Sequence, residues 1–227
     1  MIKKVKIKKF NGRDFYDMED YVAVEESYNI FINGEFVKSL SMSPNFLNEF
    51  AVGFAISEGF LNKIDKVEVD KNNINIFGEK NDREIKNNKN NKEIKIDIEI
   101  IKKIISYEIK AKYWEITGSF HWASMFDLKG NSIIFVEDIG RHNAVDKVIG
   151  YAILNNYNLN KLILRYSGRI PSDIVKKAIN SGLNIIISKS PPTDKAIELA
   201  EENNILLIGF ARNGKFNIYT SGRLWEE

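Results

Sequence analysis

Residues 162–210 read LILRYSGRIPSDIVKKAINSGLNIIISKSPPTDKAIELAEENNILLIGF, and the spacing within this stretch decides the fold. Three short apolar runs, at Leu162 to Tyr166, Ile185 to Ser188 and Leu206 to Phe210, alternate with two amphipathic segments at Pro171 to Ser181 and Asp194 to Asn203. Short continuous apolar runs suit strands buried on both faces, and the segments between them carry apolar residues at helical spacing. Pro171 stands where a first helical turn tolerates proline, and Gly182 where a helix end favours glycine. Strand and helix in alternation predict a three-layer α/β arrangement.

Working outward, strands are expected at Ser119 to Phe126 and Ile133 to Glu137, followed by a helix presenting Val145, Val148, Ile149, Ala152 and Ile153. Asn213-Gly214 is a tight-turn pair, so Phe216 to Thr220 should return as an antiparallel edge strand. Nearer the N-terminus, Tyr28 to Val37 reads as a hairpin around Asn33-Gly34. Ser43-Pro44 then offers an N-cap and first-turn proline for a helix carrying Leu47, Phe50, Ala51 and Phe54 and ending at Gly59. Lys66 to Phe77 suggests a second hairpin around Asn72-Asn73, and the polar run from Gly78 to Lys92 predicts a mobile loop. Asp97 can cap a helix bearing Ile98, Ile101, Ile104 and Ile105 that joins two halves of the chain. Lys3, Lys4, Lys6, Lys8 and Lys9 with Val5 and Ile7 look like the wet face of a strand. The expected division is a small N-terminal α+β domain over 1–110, with a mobile loop at 78–92, and an α/β domain over 111–227.

The chain has 227 residues, 44% of them hydrophobic, enough for a packed core. Lys and Arg number 33 against 31 Asp and Glu, so no general field attracts a polyanion and any anion site must be local. The Lys/Asn run from Lys86 to Lys92 lacks the aromatics that stack on bases, which argues against nucleic acid. No apolar run approaches the length of a membrane span, and a cytoplasmic location is expected. Cysteine is absent, which excludes disulfides, thiolate metal sites and a persulfide on the chain itself. No P-loop or nucleophile elbow occurs.

Three loops share one design: Asp138-Ile139-Gly140-Arg141-His142, Ser167-Gly168-Arg169 and Ser188-Lys189-Ser190-Pro191-Pro192-Thr193. Each follows a strand and opens a helix, where exposed N–H groups and the helix dipole favour an anion. Arg141, Arg169 and Lys189 add charge suited to phosphate, although the glycines could simply serve turns and the arginines be solvated. The two histidines, His121 and His142, raise the question of zinc. A site would need carboxylates such as Glu137 and Asp138 to complete it, and no metal is expected. His142 suits a hydrogen-bonding position at a helix start, and His121, between Phe120 and Trp122, a structural one.

The segment Glu137-Asp138-Ile139-Gly140-Arg141-His142-Asn143-Ala144-Val145-Asp146-Lys147 resembles the signature of the FdhD/NarQ family of formate dehydrogenase accessory sulfurtransferases. Thr117-Gly118 with His121, Ser167-Gly168-Arg169, Gly209-Phe210 and Phe216-Asn217-Ile218-Tyr219-Thr220 are similar to further family segments in the same order. So are Glu25-Glu26, the Asn33-Gly34 hairpin, Phe50-Ala51-Val52-Gly53-Phe54 and Ser57-Glu58-Gly59. The resemblance implies a C-terminal domain with a cytidine-deaminase-like fold, although the deaminase zinc motif is missing. It also implies that sulfur from a cysteine desulfurase reaches a molybdenum or tungsten bis(guanylyl molybdopterin) cofactor, carried as cargo to apo-formate dehydrogenase. A homodimer is compatible with it. Phe210-Ala211-Arg212-Asn213-Gly214-Lys215 is similar to the family's cofactor-binding loop. His121, Gly140, Arg141, His142, Ser167, Gly168, Arg169 and Ser190 are further candidate cofactor contacts.

The departure lies at Lys86 to Lys92, which corresponds to the family's Cys-x-x-Cys loop and holds no cysteine, so no residue is assigned to sulfur catalysis. Two other functions compete with cofactor carriage. One is a guanine-nucleotide-binding enzyme using His142 and Asp146 as acid and base, and the other a ligand-free module that binds formate dehydrogenase.

Overall fold

The computed structural model describes residues 1–81 and 96–220. In chain order the elements are β1 (Ile2–Phe10), β2 (Phe15–Ala23), β3 (Glu26–Ile32), β4 (Glu35–Met42), α1 (Leu47–Ser57), β5 (Leu61–Asp70) and β6 (Asn73–Lys80). There follow α2 (Ile98–Ser106), α3 (Lys112–Thr117), β7 (His121–Asp127), β8 (Ser132–Asp138), α4 (Arg141–Leu154), β9 (Leu162–Tyr166) and α5 (Ser172–Ser181). The last are β10 (Ile185–Ser188), α6 (Asp194–Glu202), β11 (Leu206–Arg212) and β12 (Lys215–Thr220). No helix among the described residues is long and apolar enough to cross a membrane.

The apolar runs of the second half form a six-stranded sheet in the order β12-β11-β10-β9-β7-β8. β9, β10 and β11 are parallel, as their crossover helices require. β7 runs antiparallel to both β8 and β9, so β8 points the same way as the parallel strands and four strands end on one edge. One face of the sheet packs Met125, Leu164 and Leu207 against Val145, Ile174 and Ala200 of α4, α5 and α6. The other buries Ile163, Ile187 and Ile208 under Ile101, Ile104 and Ile105 of α2. This is the three-layer α/β/α unit expected from the alternation. The N-terminal half makes a second sheet, β4-β3-β6-β5, whose Ile30, Ile74 and Ile76 pack on Phe50 and Phe54 of α1.

α1 is buried on nearly every side because it also lies against α4. The crossing is close: a Cβ built on Gly53 would collide with the Asp146 carbonyl, and one on Gly150 with the Glu49 carbonyl. Glycine at both positions lets the two backbones approach, and that contact joins the two halves.

Several local expectations are met for their stated reasons. Asn33 and Gly34 take φ of 50° and 85° in the β3–β4 turn, Gly182 ends α5 at φ 81°, and the Asp97 side chain accepts from the Glu99 N–H at 2.8 Å. Others are corrected. Ser43 does not cap α1, whose N-cap is Phe46 at φ 51° with no side-chain bond; Ser43 is buried against the second half instead. The second hairpin turns at Lys71 and Asn72 rather than Asn72-Asn73, and its first strand begins at Leu61. β6 continues through Lys80, so the first residues of the expected loop are strand, while 82–92 lies outside the described residues. The Lys-rich β1 pairs along its length with β2, whose register sets Lys4 beside Glu19 and Lys8 beside Asp17.

Candidate functional site

The four parallel strand ends place the three glycine-bearing loops side by side. Tying bonds run between them. Ser167 Oγ accepts from the Trp122 N–H at 3.1 Å and lies 3.2 Å from His121 Nδ1. Ser190 Oγ donates to the Ser167 carbonyl at 3.0 Å, and Ser188 Oγ donates to that of Gly168. Gly168 is packed so closely against Arg141 and Tyr166 that a side chain would meet both.

The acidic and basic residues of the Glu137–Lys147 segment divide into two groups. Most hold the protein together. Glu137, 5% exposed, accepts from the Tyr113 and Trp114 N–H groups at 3.1 and 2.8 Å and so fixes the start of α3. Asp138 and Lys147 form a fully buried pair that reaches into the N-terminal half: Ser43 N–H donates to Asp138 at 3.1 Å, and Lys147 Nζ donates to the Ser43 carbonyl at 3.0 Å and to Asn45 Oδ1 at 2.8 Å. Asp146 accepts from Ser57 Oγ at 2.6 Å and from Lys177 Nζ at 2.8 and 3.0 Å, and Lys177 also donates to Glu58 at 2.6 Å. Burial alone would favour a neutral amine at Lys177, but the Asp146 and Glu58 carboxylates outweigh it and hold the pKa above the ordinary lysine value.

Arg141 and His142 are the second group, and they face open space. Together with Lys38, Glu58, His121 and Lys176 they line a cleft of about 600 Å³ between the two halves. Arg141 Nε and His142 Nε2 are buried atoms that find no partner among the described residues, so a ligand with acceptor groups would be met by unspent donors. Burial, then the charges of Arg141 and Lys177, push the His142 pKa down to about 4 and leave the ring neutral near pH 7. Burial and Arg141 lower that of His121 as well.

His121 is also a wall of a second cavity of about 300 Å³, with Trp114, Trp122, Ser167 and Lys189. Lys189 Nζ sits 5.6 Å from the Trp122 ring centroid, and burial, then Arg165 and Arg212, lower its pKa. That influence joins the Phe210–Lys215 segment to the edge. Phe210 N–H donates to the Ser190 carbonyl at 3.4 Å, Ala211 is buried in the core under α2, and Asn213 and Gly214 take φ of 53° and 73° so that Arg212 and Lys215 project at the β11–β12 turn.

Of the residues singled out from sequence, His121, Gly140, Arg141, His142 and Ser167 thus line these two cavities, whereas Gly168 and Ser190 support their walls. Arg169 is exposed and lines neither, its carbonyl accepting from Tyr166 Oη. Asp146 reaches the cleft wall but is committed to Lys177 and Ser57. Ser43, Lys147 and Lys177 were not anticipated. The signal for Lys177 was its place on the Ile174–Ala178 stripe, where a lysine must be buried.

The model of the FdhD/NarQ family matches residues 23–97 and 73–224. The sulfur carrier protein FdhD of Sulfolobus acidocaldarius is 37% identical, the alignment covering 96% of each chain. That of Bacillus licheniformis is 32% identical over 95% of this chain and 94% of its own. A crystal structure described as a formate dehydrogenase accessory protein from Desulfotalea psychrophila superposes with a TM-score of 0.85 at 26% identity, covering 96% of each chain.

Proposed function

The chain belongs to the FdhD/NarQ family, and from that premise we propose that it is a formate dehydrogenase accessory protein that holds a guanylyl molybdopterin cofactor of molybdenum or tungsten and hands it to the apoenzyme. The observation carrying this reading is the gathering of Arg141, Lys189 and Arg212 along one strand-end edge beside two cavities, with Arg141 Nε unpaired. Guanidinium groups match phosphate oxygens, and the Asn213-Gly214 turn gives backbone N–H groups room to approach them.

The sulfur half of the role takes a different form here. A persulfide relay needs a thiolate, and with no cysteine in its sequence the chain cannot supply one. Cofactor holding is therefore the contribution assigned to this protein, and sulfur reaches the cargo from a separate donor, either a cysteine desulfurase with another carrier or free sulfide. Expression in cells deleted for their own accessory protein tests this. Formate dehydrogenase activity should return with the wild-type chain and fail to return with Arg212→Ala/Lys215→Ala; equal restoration by the variant would remove the charged edge from the function.

A further inference from the structure

The cavity between α3 and the sheet edge differs in character from the interdomain cleft. Its walls are mainly apolar and aromatic, Trp122 and Phe120 being 3% exposed, while Trp114 is 51% exposed beside it. An exposed tryptophan next to a concave space of about 300 Å³ offers a face on which a flat ring can stack. Glu115 lines the same space, and its carboxylate has no ion pair or side-chain hydrogen bond among the described residues. Lys189 lines it too, with Arg212 close by.

We propose that this cavity receives the guanine base of the cargo, with Trp114 against the purine face and the Glu115 carboxylate accepting from guanine N1–H and the 2-amino group. The inference rests on the cargo reading above and assigns its base-reading end. Two neighbouring N–H donors on one edge are the feature that separates guanine from adenine, which presents a bare ring nitrogen at N1 and would set its lone pair against the carboxylate. The phosphates then extend toward Lys189 and Arg212, the cations nearest this cavity. Glu137 acquires a place in the same device. By accepting from the Tyr113 and Trp114 N–H groups it sets the orientation of α3, so the long signature segment positions the stacking residue without touching the base.

The test uses GDP, IDP and ADP as probes in titration calorimetry. The wild type should bind GDP more tightly than IDP, which lacks the 2-amino group, and IDP more tightly than ADP. Glu115→Gln, at an exposed position that leaves folding intact, should cut the preference for GDP over ADP at least ten-fold, and Trp114→Ala should weaken GDP and ADP alike. An unchanged preference in Glu115→Gln overturns the assignment. So does a wild type that retains pterin from cells yet does not distinguish GDP from ADP, and in that case the cargo reading survives. A wild type that binds neither nucleotide nor pterin overturns both.

Discussion

Gly53 of α1 and Gly150 of α4 lie against each other where the two halves of the protein cross, each without room for a Cβ against the opposing backbone. The two sheets are joined through this crossing, and the interdomain cleft opens beside it, lined by Phe54 and Ser57 from α1 and by Asn143 and Asp146 from α4.

Gly53→Ala or Gly150→Ala should therefore push the helices apart at a cost of about 3 kcal/mol, the upper end for an overpacked core. Urea denaturation followed by circular dichroism would show a lowered midpoint. A midpoint equal to wild type would mean that the crossing has slack the geometry does not show.

The buried lysines make a second prediction. Lys147→Met strands Asp138, and Lys177→Met strands Asp146, each at 1% exposure or less. Removing one partner of a buried pair costs about 3–5 kcal/mol. Thermal unfolding of both variants should show large losses, and the double variant Asp138→Leu/Lys147→Met should recover part of its loss because no charge is left unpaired.

A pH dependence follows from His142. Its pKa falls from 6.5 to about 4 on folding. Above pH 6.5 the ring is neutral in both states. As pH drops from 6.5 toward 4 the unfolded chain takes up a proton that the folded one refuses, so stability declines through that window. Denaturation midpoints measured across it should fall less steeply for His142→Gln than for wild type; identical slopes would show that the folded ring titrates normally.

The strand–helix alternation and turn pairs such as Asn33-Gly34 were legible because they depend on local periodicity and on backbone angles that few residues adopt. The loops that meet at the strand ends were legible for the same reason, since parallel strands place them on one edge. What could not be read was partnership across the chain. Ser43 looked like a helix cap because Ser-Pro is a local signal, yet its bonds go to Ile139, Asp138 and Lys147, about a hundred positions away. β2 alternates acidic and apolar residues and becomes a strand through its pairing with the Lys-rich β1. α3, six residues long, owes its start to the distant Glu137. Such side chains satisfy one another through tertiary contact, which no window of sequence contains.

Cargo binding is tested most directly by purifying the protein from cells that make the cofactor, oxidising any bound pterin to its fluorescent form, and comparing wild type with Arg212→Ala/Lys215→Ala. Guanylyl pterin bound to the wild type and lost from the folded variant is the expected result. A folded wild-type protein that carries no pterin would contradict cofactor carriage and favour a module that binds formate dehydrogenase alone.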